Sequence, residues 1–313
     1  NWPTTIGIAS PLINDGQVNN RGLEISALWK DRIGKDIGYY VSANVATLRN
    51  RLTNIGAANP DGSKPVWTYE DDYHYKELTP YRSSEGKPLY SYYLLRTDGV
   101  FQTDAEAAAY VNSNGQRLQP KAKAGDLKFV DIDQNGSIGE GDYEFRGNAM
   151  PKMTYAFSAG FSYKKFSFDF MLQGSYGAKL FNAYKYTTLN EAVGSFNRSE
   201  KILKALEGPT YDVPRISMTD DNDNFGRISD WYLESGSYLR MKNISISYSF
   251  SDLLRKLTFF NQRQSTLDLT LSCDNLFTIT PYSGIDPEVG GVGLDCGQYP
   301  VSRTISLGVK IKF

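Results

Sequence analysis

The sequence predicts an all-β fold whose antiparallel strands turn one face to hydrocarbon and the other to water. Three observations predict it. The last eleven residues, Arg303–Phe313, alternate without a fault: Ile305, Leu307, Val309, Ile311 and Phe313 share one strand face, and Thr304, Ser306, Gly308, Lys310 and Lys312 share the other. Such alternation means one apolar and one wet face. The pattern recurs along the chain, giving about seven strands in all. Their connections are alternately short and long, which is the asymmetry of outer-membrane barrels.

Taken in order, residues 1–20 are polar and rich in Asn and Gly and read as a loop. Leu23, Ile25, Ala27 and Trp29 alternate with Glu24, Ser26 and Lys30. Residues 31–38 make a turn, and Tyr39, Val41, Ala43, Val45 and Thr47 form the second strand. Residues 49–152 are the longest stretch without a clean strand pair, although 90–96 is strand-like. Within them Thr103, Asp104, Ala105 and Glu106 spell a capping box ahead of a short helix. The cleanest hairpin follows: Tyr155, Phe157, Ala159, Phe161 and Tyr163, a turn at Lys164-Lys165, then Phe166, Phe168, Phe170 and Leu172. The next connection is long and carries a helix at 200–206, capped by Ser199 and closed by Gly208-Pro209.

Ile244, Ile246, Tyr248 and Phe250 mark a fifth strand within 238–250. Arg240 and Lys242 continue its apolar row, so they either snorkel at a membrane rim or stand beyond a bulge near Asn243. Residues 251–264 make a short connection, Leu267–Cys273 a sixth strand, 276–302 a third long loop, and the terminal segment the seventh strand. With the C-terminus on the periplasmic side, 31–38, 164–165 and 251–264 are periplasmic, and 49–152, 174–237 and 276–302 are extracellular. A soluble sandwich shares the strand periodicity. The membrane reading requires Phe157, Phe168, Leu269 and Val309 to stand on one face that no second protein layer covers. A seven-stranded piece has two unpaired edges and cannot stand alone in lipid.

The chain has 313 residues and a net charge of −1, with no Lys/Arg block longer than a doublet such as Lys164-Lys165. That excludes the electrostatic footprint of a nucleic-acid partner. No run of 18 apolar residues exists, so no transmembrane helix is expected. The 22 Tyr, 16 Phe and 4 Trp suit aromatic girdles or a sugar-binding surface. Cys273 lies in phase with Leu267, Leu269 and Leu271, and Cys296 lies in a Gly-rich loop; they read as two unpaired thiols. Neither a starting Met nor a signal peptide is present, and an exported protein needs a signal. Residues 1–313 are therefore expected to be the C-terminal part of one barrel domain within a longer protein.

One local motif has metal-ligand spacing. Asp131, Asp133 and Asn135 stand at positions 1, 3 and 5 of a twelve-residue loop, with Gly136 at 6, Ser137 offering its carbonyl at 7, and Asp142 at 12. Ca²⁺ takes six to eight oxygens in such loops. Asp in place of Glu at position 12 shortens the reach, and Gly139 at position 9 needs a water. The alternative is an Asx-turn-rich acidic loop with no ion. Thr219–Asn224 is acidic without the spacing and reads as a solvated loop. Asp230 and Glu234 resemble a hydrolase pair only in composition. His74 is the sole histidine, which excludes His-based triads and His-cluster metal sites within this chain. Gly290–Gly293 lacks the Lys and the helix of a nucleotide loop. Trp67, Tyr69, Trp231 and Tyr282 fall in the long loops, where they can stack on sugar rings, contact a lid protein, or pack the loops together.

Several segments, in order, resemble SusC/RagA-type TonB-dependent transporters of Bacteroidetes. Asn19-Asn-Arg-Gly-Leu-Glu24 is similar to the family's N-x-G-V-E-L, and Asp98-Gly-Val-Phe-Gln-Thr103 to D-G-I-F-Q. Gly147-Asn-Ala-Met-Pro-Lys-Met-Thr-Tyr155 is similar to G-N-P-x-P-K-x-T-Y, and Gln173-Gly174 to the Q-G that ends the hairpin. Ser237-Tyr-Leu-Arg-Met-Lys-Asn243 resembles Y-L-R-L-K-N. Asn275-Leu-Phe-Thr resembles N-L-F, and Tyr282-Ser-Gly-Ile-Asp-Pro-Glu288 resembles Y-S-G-x-D-P-E. Tyr299-Pro and Arg303-Thr resemble Y-P-x-x-R-T. The resemblance implies the last third of a 22-stranded barrel with an N-terminal plug, a contact to TonB-ExbB-ExbD through the plug side, and a SusD-like lipoprotein lid. It implies import of oligosaccharides or peptides across a Gram-negative outer membrane, and no enzyme. Two other classes stay open: a non-transporting cell-surface adhesion or structural β-protein, and a β-sandwich carbohydrate hydrolase.

Overall fold

A computed structural model describes residues 16–59, 61–69, 73–194, 196–250 and 266–312. Seven long strands make its wall: β1 (Gln17–Ile33), β2 (Ile37–Asn54), β3 (Met153–Tyr163), β4 (Phe166–Tyr176), β5 (Tyr238–Ser249), β6 (Thr266–Asp274) and β7 (Thr304–Lys312). They lie side by side in chain order, and every neighbouring pair is antiparallel.

Register turns the sequence alternation into two continuous surfaces. Trp29, Val41, Ala159, Phe170, Ile244, Cys273 and Ile305 line up across all seven strands. The neighbouring row on the opposite face reads Lys30, Tyr40, Gly160, Asp169, Ser245, Ser272 and Ser306. One face is therefore apolar from edge to edge and the other polar. Phe157, Phe168, Leu269 and Val309 stand on the apolar face, and even in the interior strand β6 Leu271 is 52% exposed. Among the described residues nothing covers this face. No described helix is long and apolar enough to cross a membrane, which says nothing of a barrel.

The strands run further than the alternation indicates. Gln17–Asn20 belong to β1, and the first turn is confined to residues 34–36. Residues 1–15, Phe313 and the 251–264 connection lie outside the described residues. The β3–β4 turn is the expected Lys164-Lys165 pair, with Lys164 in the left-handed region. Gly174 allows a close approach: Tyr155 lies across it and donates to the Tyr238 carbonyl at 3.1 Å, in space a Cβ would fill to within 2.6 Å of that ring.

For Arg240 the structure corrects the rim position and bears out the alternative, a bulge near Asn243. Met171 pairs with Asn243, but Leu172 pairs with Met241, so Lys242 is an extra residue in β5. The bulge reverses the alternation. Arg240 consequently pairs with Gln173 on the polar face and is only 2% exposed.

The hydrophobic core lies outside the wall. The three long connections fold together as a cap with its own core, including Tyr81, Tyr92, Leu94, Phe129, Phe181 and Tyr232. Short strands stitch it. Trp67–Thr68, Tyr81–Ser83, Ser91–Leu95 and Tyr143–Asn148 form one sheet within the first connection. Lys179–Asn182 joins Leu233–Ser235 to Leu294–Asp295, linking the second and third connections. The Tyr92 hydroxyl reaches the carbonyls of Val292 and Gly293, each at 3.1 Å, so Gly290–Gly293 is a packing loop.

Both expected helix starts are present. Thr103 accepts the Glu106 N–H at 3.1 Å and opens α1 (Asp104–Ala109). The Glu106 carboxylate reaches back one residue further than a capping box does, to the Gln102 N–H at 2.7 Å. Ser199 caps a 3₁₀ turn, Glu200–Leu203, that continues as α2 (Lys204–Glu207) and ends at Gly208 with φ +143°.

Candidate functional site

The twelve-residue acidic loop closes on Asp142, which is fully buried. Its Oδ1 accepts the N–H of Ile132 at 2.6 Å and of Asp133 at 3.4 Å, and its Oδ2 accepts the Gly139 N–H at 2.7 Å. Asp131 Oδ2 accepts the Gly136 N–H at 2.9 Å, across the sharp turn that Gly136 makes at φ +87°. Asp133 binds the N–H and side-chain amide of Asn135 at 3.0 and 2.8 Å. Asn135 Oδ1 in turn accepts from the N–H and hydroxyl of Ser137 at 2.9 and 2.7 Å. From the neighbouring turn, Asn112 donates to the Gly136 carbonyl at 3.1 Å.

These contacts leave acceptor capacity unused. One carboxylate oxygen each from Asp131, Asp133 and Asp142 falls within 4.8 Å of the others. Asp131 Oδ1 is buried with no donor among the described residues, and a buried acceptor without a partner is costly. A carboxylate has about four lone-pair sites. The three N–H groups on Asp142 leave it about one, so it fits single-oxygen coordination. The donor set is all oxygen, as a hard cation requires. Gly141 lets the Asp133 carboxylate approach the backbone: a Cβ there would sit 2.0 Å from Asp133 Oδ2.

The four aromatic candidates separate. Trp231 and Tyr282 are 3% and 5% exposed, which corrects their reading as contact rings. Trp231 packs edge-on against Tyr232, with ring centroids 4.8 Å apart, and donates to the Tyr211 carbonyl at 2.8 Å. Tyr282 donates to buried Asp295 at 2.5 Å; burial first, and that carboxylate second, push its hydroxyl pKa well up. Trp67 is exposed. Tyr69 is half-buried and tilted against Tyr90 at 4.5 Å. Its ring packs against the cap core and its hydroxyl bonds Ser83 Oγ at 2.8 Å, which leaves Trp67 the more open of the two.

Polar side chains join the connections, and sequence reasoning did not find them. Asp230 Oδ1 accepts the N–H and hydroxyl of Thr97 at 3.0 and 2.6 Å, while its Oδ2 binds Arg146 at 2.6 Å. Glu234 binds Lys185 at 2.8 Å and accepts the N–H and hydroxyl of Ser283 at 2.7 and 2.8 Å. Burial raises the Glu234 carboxyl, but Lys185 and Ser283 more than offset it and hold its pKa low. Both carboxylates are thus tied into the scaffold, and neither acts as half of a hydrolase pair. Asn222 and Asn224 of the acidic 219–224 stretch are buried, not solvated, and Asn224 donates to buried Asp126 at 2.8 Å.

Arg240 fastens the third connection to the wall. It binds Asp286 at 2.7 Å, Glu288 through its other terminal nitrogen, and the Thr278 hydroxyl at 2.8 Å. Asp286 also accepts the N–H of Glu288 at 2.9 Å and of Val301 at 3.0 Å. Burial works to raise its pKa, and these N–H groups with Arg240 bring it below the ordinary range. Arg240 lies in one quoted motif and Asp286 and Glu288 in another, so motif order was readable and their contact was not.

The sequence is similar over nearly its whole length to one class of protein, the TonB-dependent receptors. The chain is 28% identical to TonB-dependent receptor P3 of Formosa agariphila over 99% of its own length and 30% of that protein. It is 23% identical to TonB-dependent receptor SusC of Bacteroides thetaiotaomicron over 96% of its length and 27% of that protein. The solved structure of the RagAB peptide transporter superposes on the whole chain with a TM-score of 0.71 at 23% identity, covering 31% of that chain. The chain matches no protein-family model. It spans about three tenths of the length of the curated relatives. The similarity to SusC/RagA-type transporters thus extends over nearly the whole chain, and these relatives are receptors and transporters, not enzymes.

Proposed function

We propose that the chain forms wall strands and part of the outer cap of a 22-stranded TonB-dependent importer in a Gram-negative outer membrane. The observation that carries this is the uncovered apolar face running from Trp29 to Ile305 across seven strands, backed by an equally continuous polar face. Lipid satisfies the first and an aqueous lumen the second. The chain is the C-terminal part of one barrel domain, and strands beyond the seven close the wall. A plug outside this chain couples to TonB-ExbB-ExbD. A SusD-like lipoprotein covers the cap, and oligosaccharides or peptides are the cargo; the description of the similar solved structure as a peptide transporter supports peptides.

Within the cap, Asp131, Asp133, Asn135, Ser137 and Asp142 hold a Ca²⁺ that pins the first connection. The buried, partnerless Asp131 Oδ1 supports this. Trp67 and Tyr69 are the rings left to meet cargo or lid.

The test uses the full-length protein in its outer membrane. Uptake of labelled oligosaccharide and peptide pools is measured with and without the inner-membrane proton gradient. Gradient-dependent uptake that disappears on deleting the gene is expected. Uptake indifferent to the gradient, or a protein extracted without detergent, overturns the reading.

A further inference from the structure

We propose that Arg21, Arg49 and Arg51 form a docking site for the phosphate groups of an anionic glycolipid headgroup in the leaflet on the cap side. The inference rests on the membrane-barrel reading above. Arg21 of β1 pairs directly with Arg49 of β2, and Arg51 follows two residues on, opposite Asn19. All three occupy the same face as Leu23, Ile25, Val41 and Val45, and all three are exposed. Like charges directly opposite one another destabilise a strand pair. Among the described residues none of the three has a carboxylate partner; Arg21 Nε donates only to Asn19 Oδ1 at 3.0 Å. The sequence therefore keeps an unfavourable cluster where an external anion would make it favourable.

Depth selects the anion. Residues 22–30 of β1 lie between Arg21 and Asp31, and residues 39–47 of β2 lie just before Arg49. A barrel strand crosses the hydrocarbon in about 9–11 residues. Arg21 is two residues beyond Leu23, roughly 5 Å further along the normal for a strand tilted about 45°. That is headgroup level, not open solvent and not hydrocarbon.

A cavity of about 440 Å³ opens beside Arg51, lined also by Leu52, Lys64, Pro65, Val66 and Glu85. Its one carboxylate, Glu85, is taken by Lys64 at 3.0 Å. Guanidinium forks match phosphate oxygens two at a time, and the apolar rows immediately below suit the acyl chains.

The test compares the full-length protein with R21Q/R49Q/R51Q and with R21K/R49K/R51K in neutral phospholipid vesicles. The vesicles are doped with monophosphorylated lipid A or with the same lipid lacking phosphate. Retention of each probe is read by mass spectrometry after detergent extraction. The expected result is loss of the phosphorylated probe by about tenfold or more in the Gln variant, substantial retention in the Lys variant, and little retention of the dephosphorylated probe by any form.

Equal retention by the Gln variant overturns the proposal, as does equal binding of both probes. Displacement by millimolar inorganic phosphate assigns the site to a free ion instead and also overturns it. Heat-modifiable gel mobility reports insertion separately. A barrel that inserts but does not select loses this proposal alone, whereas a chain that never inserts loses both.

Discussion

Arg240 in β5 binds Asp286 of the third connection at 2.7 Å, although the two are far apart in the chain. The guanidinium is nearly fully buried and has a second carboxylate, Glu288, on its other side. Removing one partner of a buried ion pair strands the other charge and costs about 3–5 kcal/mol. Arg240→Met is therefore expected to release residues 276–302 while the wall stays paired. Hydrogen exchange would show faster exchange at Glu288 and Val301, whose N–H groups bind Asp286, with β3 and β4 unchanged. Uniform exchange in the variant would mean the latch does not hold that connection.

The two faces of β5 differ sharply in what they tolerate. Ile244 sits in the middle of the apolar row, and Ser245 next to it faces the polar side. Arg on a lipid face near the midplane costs about 2–4 kcal/mol. Ile244→Arg should lower barrel stability by that amount, and Ser245→Arg should cost under about 1 kcal/mol, since lumen positions mainly tune selectivity. Urea titration in lipid vesicles measures both; equal costs would argue against a one-sided lipid contact.

The acidic loop gives a metal-dependent prediction. Asp131→Asn with Asp133→Asn should abolish any Ca²⁺-dependent rise in the cap's melting temperature and leave the barrel transition in place. An extracellular site of this kind binds at about 10⁻⁴–10⁻³ M, so the titration must reach millimolar Ca²⁺. A cap that melts identically with and without Ca²⁺ would assign the loop to hydrogen bonding alone.

Two carboxylates respond to pH in opposite directions. Burial raises Asp220 to about 6, against N–H bonds from Phe225 and Asn224 that pull it down. Its contribution to stability is complete below its ordinary value of 3.8 and is lost as pH rises through about 6. Asp286 is held low despite its burial, so its contribution is present above 3.8 and disappears as pH falls further. Exchange at Asn224 and Phe225 should accelerate between pH 4 and about 6.5, and Asp220→Asn should flatten that slope. Exchange at Val301 should accelerate only in stronger acid.

The wall was legible because a strand buried on one face writes its period into the sequence. Tyr155–Tyr163 and Ile305–Ile311 could be placed by alternation alone. Alternation alone put Arg240 on the apolar row because one inserted residue, Lys242, reverses it; the two charges in that row were the sign of the bulge. The cap was illegible for a different reason. Its strands are as short as Leu294–Asp295 and Trp67–Thr68, too short for any period, and the partner of Leu294–Asp295 lies in another connection. Trp231 and Tyr282 fall in the loops as expected, but the burial of Trp231 depends on a core it shares with residues of the first connection such as Tyr81 and Tyr92. The acidic loop was readable because its side-chain contacts are local, and Gly136 fixes its turn.

The shared core of the cap constrains how specificity can change. Phe181 from the second connection packs on Tyr92 from the first, and pairs its backbone with Leu294 from the third. A single connection transplanted into a related barrel would arrive without the surfaces that shape it. Chimeras that exchange all three together should keep their form, so the shape of such a cap is inherited as a module and not loop by loop.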